Sequence, residues 1–115
     1  MTLKNAIKRA KDARPNLIDE EVLAAWIYEL EGQISEHMGK EMPVNTWPDD
    51  AELLMPAPYD GIYDLYLRVK IDDMQQEDAL YQNDHAVFND MLGSALAWWL
   101  RNNRPKQVYT WNTGL

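Results

Sequence analysis

The chain has 115 residues and no cysteine, so it is long enough for one domain with a modest core, and disulfides, thiolate metal sites and cysteine nucleophiles are excluded. Hydrophobic residues make up 46% of it, which excludes wholesale disorder. The net charge of −8 is uneven, because residues 1–15 carry five basic groups and one acidic group while the rest carries six and 18, and an acidic body disfavours groove-binding recognition of DNA.

Two helices are predicted in the first part of the chain. The first runs from Thr2, a suitable N-cap, to about Ala13, and Pro15 ends it. The second starts after Asp19 as N-cap and stops at Gly39, a residue type common just past a helix end. Each helix carries a stripe of apolar residues at helical spacing: Leu3, Ala6, Ile7 and Ala10 in the first, and Leu23, Ile27, Leu30 and Ile34 in the second.

Residues 40–58 have an unusual composition for a connection between helices. They hold four of the six prolines and an acidic cluster at 49–52, with apolar residues interleaved. A structureless loop of this length is uncommon inside a compact domain, and the segment is too apolar for a simple linker. We therefore expect a short hairpin or an arm that packs on another part of the protein.

A third helix is predicted from about Pro58 to Met74, and a fourth from about Glu77 to Asn102, with a tight break at Gln75-Gln76. The fold class is thus all-α, a small bundle of about four helices with a Pro-rich arm or short hairpin between helices 2 and 3. We assign residues 1–105 to the helical domain and 106–115 to a C-terminal tail, which is either a short strand or a free arm.

No group of residues in the sequence predicts chemistry. The two histidines, His37 and His85, fall in different helices and lack a second ligand at metal spacing. The carboxylate pairs Asp72-Asp73 and Glu77-Asp78 diverge around their helices and do not follow the calcium-loop pattern. Neither a Gly-rich phosphate loop nor a nucleophile elbow is present. We expect no catalytic residue, no cofactor and no metal, and hence not an enzyme. No signal peptide and no membrane span are expected either, because no apolar run approaches the roughly 18 residues that a span needs.

Two runs of residues stand out in the second half of the chain. They are Leu53-Leu54-Met55-Pro56-Ala57-Pro58-Tyr59-Asp60 with Tyr63, Tyr66-Leu67 and Ile71-Asp72, and Tyr81-Gln82-Asn83-Asp84 with Val87-Phe88-Asn89 and Trp98-Trp99. Together they resemble a family of small tailed-phage and prophage proteins, the head–tail connectors or adaptors. The resemblance spans roughly residues 2–106 and is strongest over 52–105. The chain departs from the family at Gln75-Gln76, where Asn-Gly is frequent, and in its shorter segment before the Leu-Leu run.

The resemblance implies a structural protein of the virion that is made in the host bacterial cytoplasm. Such subunits assemble as a ring under the portal protein, join the capsid to the tail and extend the DNA channel. The implied partners are the portal, further copies of the chain, and the next connector, stopper or tail protein. DNA would pass through without sequence recognition, and no membrane is involved.

Candidate interface residues are apolar or aromatic side chains in the arm, at the start of the third helix and near the end of the fourth. They are Met42, Trp47, Leu53, Leu54, Tyr59 and Trp98. Tyr63 and Tyr66 belong either to this interface or to the core. The alternative function is a small helical regulatory or DNA-binding protein that uses the basic first helix, where Lys8 and Arg9 would contact duplex DNA.

Overall fold

A computed structural model describes residues 1–42 and 47–103 and confirms the predicted all-α class. Its helices are α1 (Leu3–Ala13), α2 (Glu20–Met38), α3 (Ile62–Met74) and α4 (Asp78–Asn102). The third helix contacts all three others, most extensively α4, and most of its residues are buried. In the described part of the chain, none of the helices combines the length and the apolarity needed to cross a membrane. The predicted tail at 106–115 lies outside the described residues.

Local chemistry sets the helix ends. The Thr2 hydroxyl accepts the Asn5 N–H at 3.2 Å and caps α1, and Gly39 ends α2 with a left-handed φ of 66°. Gln76 also has a positive φ, 57°, and makes the tight break before α4. The third helix starts at Ile62, four residues later than predicted, because the Pro56 carbonyl accepts the Tyr59 N–H at 3.0 Å and turns occupy residues 57–61.

The predicted stripes of α1 and α2 form much of the core, and all eight of their residues are buried. In α4, by contrast, Leu80 and Val87 are exposed by 39% and 43%. Only Asp84, Phe88 and Ala95 of this 25-residue helix are buried. The fourth helix therefore lies on the outside of the bundle, with one side packed mainly against α3.

Of the two predicted forms of the segment before α3, its described residues show the packed arm. The arm runs antiparallel to the start of α1, where the Leu3 N–H donates to the Ala51 carbonyl at 2.8 Å. The Asp50 carboxylate accepts the Lys4 N–H at 3.0 Å, and this hydrogen bond is the main cause that lowers the pKa of Asp50. The arm thus satisfies donors at the N-terminus of α1, where a negative charge is also favoured by the helix dipole.

A buried carboxylate holds the arm against two helices. Glu31 of α2 and Tyr63 of α3 are both fully buried. One Glu31 oxygen accepts the Leu54 N–H at 2.8 Å, and the other accepts the Tyr63 hydroxyl at 2.6 Å. The same hydroxyl oxygen accepts the Met55 N–H at 2.8 Å. We call this set of hydrogen bonds the Glu31 network, and it joins α2, α3 and the arm through backbone as well as side-chain atoms.

Burial is the main cause that raises the pKa of Glu31, while the hydrogen bonds from Tyr63 and Leu54 act in the opposite direction. Burial and the neighbouring Glu31 together raise the pKa of Tyr63 far above its usual value of 10.0. Tyr63 therefore stays protonated and donates to Glu31 at any ordinary pH. A buried carboxylate is costly unless it is well bonded, so each partner matters to stability.

We predict that Tyr63→Phe destabilises the protein by about 1–3 kcal/mol, because it removes a donor to Glu31 and leaves the buried Met55 N–H without its acceptor. Urea unfolding followed by circular dichroism measures the change. The matched control is Tyr66→Phe, whose hydroxyl lies 3.5 Å from Glu29 in an exposed contact and which should cost less than about 0.5 kcal/mol. Equal effects of the two variants would contradict the prediction.

Candidate interface surfaces

The six predicted interface residues do not form one surface. Leu53 is 4% exposed and packs in the core. It was assigned to a subunit contact on the expectation that the core would leave it exposed, and it does not. Met42 and Leu54 are partly buried and pack against the same core. Trp47 lies beside α1, whereas Tyr59 and Trp98 contact each other elsewhere. Two separate surfaces therefore remain.

The first surface, the aromatic patch, consists of Tyr59, Trp98 and Trp99 with Lys40 at its edge. The ring centroids of Tyr59 and Trp98 are 5.4 Å apart, and those of Trp98 and Trp99 are 6.3 Å apart. The Lys40 ammonium lies 4.8 Å from the centre of the Trp99 ring, within the range of a cation–π interaction. All three rings are partly exposed, and aromatic residues of this kind are enriched in protein contacts.

A shallow depression continues the aromatic patch along the outer flank of α4. Pro58 and Tyr59 form one side of it, and Val87, Met91 and Ser94 form the other. Positions 80, 87, 91 and 98 repeat at helical spacing, so Leu80, Val87, Met91 and Trp98 share this flank. The depression is therefore lined mainly by apolar side chains, with Asp90 and Ser94 as its polar residues.

The second surface is a groove of about 560 Å³ between α1 and the arm, which we call the basic groove. Its apolar lining is Ile7, Trp47 and Pro48, and its charged lining is Lys4, Lys8, Lys11, Asp12 and Glu20. The Lys11 ammonium pairs with Glu20 at 3.3 Å. Among the described residues, neither Lys4 nor Lys8 has an ion-pair partner within 4.0 Å. Beside a tryptophan, the groove therefore offers two lysines without a close ion pair in the described part of the chain, and Lys4 also interacts electrostatically with Asp50.

A charged cluster that the sequence did not predict lies at the C-terminal end of α1. The Arg14 guanidinium donates to Asp72 of α3 at 3.0 Å and to Asp84 of α4 at 2.9 Å. Both aspartates are buried, and the second Asp72 oxygen has no hydrogen-bond partner. One arginine thus joins three helices and faces two carboxylates.

Burial and the neighbouring Asp84 raise the pKa of Asp72 to about 6, although Arg14 acts in the opposite direction. A single cation does not offset two buried carboxylates, which is why Asp72 retains its proton to a higher pH. The sequence did contain one signal of this cluster. Asp84 occupies an apolar position in the helical pattern of α4, and a charged residue there requires a buried partner.

The two histidines lie on different helices, α2 and α4. His37 and His85 are exposed, and the His85 ring stacks on Tyr81 with centroids 5.5 Å apart. Within residues 1–42 and 47–103, no three potential ligands are grouped as a metal would require. The acidic pair Asp72-Asp73 separates as expected, with Asp72 buried and Asp73 exposed.

Comparisons of the chain with protein-family models, with curated proteins and with solved structures find no match. A functional assignment therefore rests on the geometry of the two surfaces and of the buried networks.

We predict that Asp72→Asn changes the dependence of stability on pH. The folded wild type holds the Asp72 proton to a pKa of about 6, whereas the unfolded chain releases it near 3.8. The folded state thus binds more protons between these values, and stability falls as the pH rises through them. The variant lacks this loss, so its stability relative to wild type should rise by on the order of 2 kcal/mol between pH 4 and pH 7.

Urea unfolding at a series of pH values measures this difference. Asp73→Asn on the same helix, an exposed position, controls for the loss of one negative charge and should follow the wild-type profile. If wild type and Asp72→Asn had parallel profiles, burial would not raise the pKa of Asp72, and the prediction would be wrong.

Proposed function

We propose that the chain is a structural head–tail connector (adaptor) subunit of a tailed phage or prophage, which assembles as a ring under the portal protein. The observation that carries the proposal is the presence of two different exposed surfaces, the aromatic patch and the basic groove, on one small helical body. A ring needs heterologous contacts, in which one surface of a subunit meets a different surface of its neighbour. A contact with the portal or the next virion protein requires exposed surface as well, which the aromatic patch and the adjoining flank of α4 supply.

The residues behind the family resemblance support this proposal because they build the junction between body and arm. The Leu53–Pro58 run is fixed by the Glu31 network and leads directly into Tyr59 of the aromatic patch. Trp47, at the other end of the described arm, forms a wall of the basic groove. One anchored segment therefore positions both surfaces, and a preorganised surface loses less entropy when it binds.

The buried acids support a structural role rather than a catalytic one. Glu31, Asp72 and Asp84 each bond to groups on other helices or the arm, and neither exposed surface includes any of them. The acidic body also suits a channel through which DNA passes, because like charge weakens binding to phosphates.

The alternative function, DNA binding through α1, has one supporting observation. Lys4 and Lys8 have no ion-pair partner among the described residues, and Trp47 lies beside them. Against it, Asp12 and Glu20 line the same groove and would repel a phosphate backbone. Tight, salt-dependent binding of duplex DNA that is lost in Lys8→Glu would favour this alternative.

The test of the proposed function starts from gene order, since we expect capsid and portal genes just upstream, and it uses the portal protein encoded there. We expect the two purified proteins to form a complex in which electron microscopy shows a ring of the chain on one face of the portal. Trp98→Ala should weaken the complex by roughly tenfold or more, as for a buried aromatic anchor, without loss of helical content.

The control for this experiment is Glu36→Ala, an exposed position on α2 that belongs to neither surface as defined above, and it should bind the portal like wild type. If the unmodified chain neither binds the portal nor forms rings on it, the proposed function is wrong. If the complex forms but Trp98→Ala has no effect, the aromatic patch does not face the portal.

A further inference from the structure

We infer that the basic groove of one subunit receives the acidic end of a second copy of the chain. This inference rests on the proposed function, since it supplies the contact between neighbours in the ring. The acidic end comprises residues 16–22 and 73–80. Two contacts hold these segments side by side: the Gln75 side chain donates to the Pro15 carbonyl at 3.4 Å, and Arg14 binds Asp72 and Asp84.

The acidic end exposes an unusual share of apolar side chain. Six large hydrophobic residues are exposed in the described part of the chain, and four of them lie here. Their exposed fractions are 102% for Leu17, 60% for Met74, and 39% for both Val22 and Leu80. A cluster of exposed apolar residues at one end of a small domain is typical of a contact surface.

Acidic side chains surround these apolar residues. Six exposed acids belong to the acidic end: Asp19, Glu20, Glu21, Asp73, Glu77 and Asp78. Glu20 pairs with Lys11 of the same molecule, whereas no ion pair among the described residues involves any of the other five. The acidic end therefore presents free negative charge together with apolar surface.

The basic groove has the complementary composition. Lys4 and Lys8 supply positive charge that has no ion-pair partner among the described residues, and Ile7, Trp47 and Pro48 supply apolar surface. The groove also holds two acids, Asp12 and Glu20, and Lys11 pairs with Glu20. The partner's acids must therefore lie at the part of the groove that holds Lys4 and Lys8.

Within one molecule the two surfaces adjoin at Glu20, which lines the groove and pairs with Lys11. Lys4 and Lys8 make no ion pair among the described residues and stay available to a second copy. A second copy is thus the occupant that the charge pattern of the chain itself specifies, and charged groups of this kind fix the register of a contact more than its strength.

The contact joins two different surfaces, so it leaves a free groove and a free acidic end on every pair. Such a heterologous contact repeats from subunit to subunit and closes into a ring if the rotation permits. Trp47 would be the main apolar anchor, because tryptophan is enriched among the residues that dominate binding energy.

Disulfide trapping tests this contact directly, because the natural chain has no cysteine and engineered thiols are the only ones present. A Lys8→Cys chain is mixed with a Glu77→Cys chain under oxidising conditions. We expect mixed dimers to form at least several-fold faster than with Glu36→Cys, the matched acidic control on another surface. Equal rates for the two mixtures would overturn the proposal.

A charge exchange then tests whether the lysine and the acid act on each other. The reporter thiols are Lys4→Cys on one chain and Asp78→Cys on the other. Adding Lys8→Glu to the first chain should slow cross-linking two- to fivefold, the effect expected of an exposed charge pair. Adding Glu77→Lys to the second chain should restore the rate. Arg101→Glu, a charge reversal at the far end of α4, should have no effect.

The failures of the two proposals are distinguishable. If the chain forms rings on the portal but Lys8→Cys does not cross-link preferentially to Glu77→Cys, the connector function stands and this contact is wrong. If the cross-link forms and no portal complex is found, the chain associates through these surfaces but does not act as a connector.

Discussion

The fold depends on one buried carboxylate, because Glu31 makes bonds that no apolar residue could replace. It accepts a backbone N–H of the arm with one oxygen and the Tyr63 hydroxyl with the other. The network fixes a proline-rich segment, which would otherwise have few backbone hydrogen bonds, onto the two central helices. Burying a charge in this way costs free energy that the network must offset, so removal of a single partner should be more harmful than removal of an exposed bond.

The exposed surfaces depend on this constraint. Trp47 and Tyr59 lie at the two ends of the described arm that the Glu31 network anchors, and each belongs to a different surface. A second buried group, Arg14 with Asp72 and Asp84, brings the α1–α2 connection beside the α3–α4 turn and so assembles the acidic end. A small helical body thereby displays an acidic end, a basic groove and an aromatic patch, the combination from which we infer repeated head-to-tail contacts.

The sequence predicted what depends on periodicity and local chemistry. The stripes of α1 and α2, the Thr2 cap and the Gly39 end are all present, because each depends on residues within a few positions of one another. The predicted start of α3 was four residues too early, because turns after Pro56 compete with the helix. The burial of Glu31 and Asp72 was not predictable from helical spacing, since their partners lie 23 or more positions away. Leu53 was assigned to an interface for the same reason: nothing local shows that the arm folds back onto the core.

The central claim is that the arm is an anchored part of the helical body. Native-state hydrogen exchange measured by NMR at the Leu54 and Met55 amides tests it most directly, because both donate into the Glu31 network. We expect these two amides to exchange as slowly as those in the middle of α3, with protection close to the free energy of global unfolding. Fast exchange at Leu54 and Met55 beside a protected α3 would show that the arm detaches independently, and it would contradict the claim.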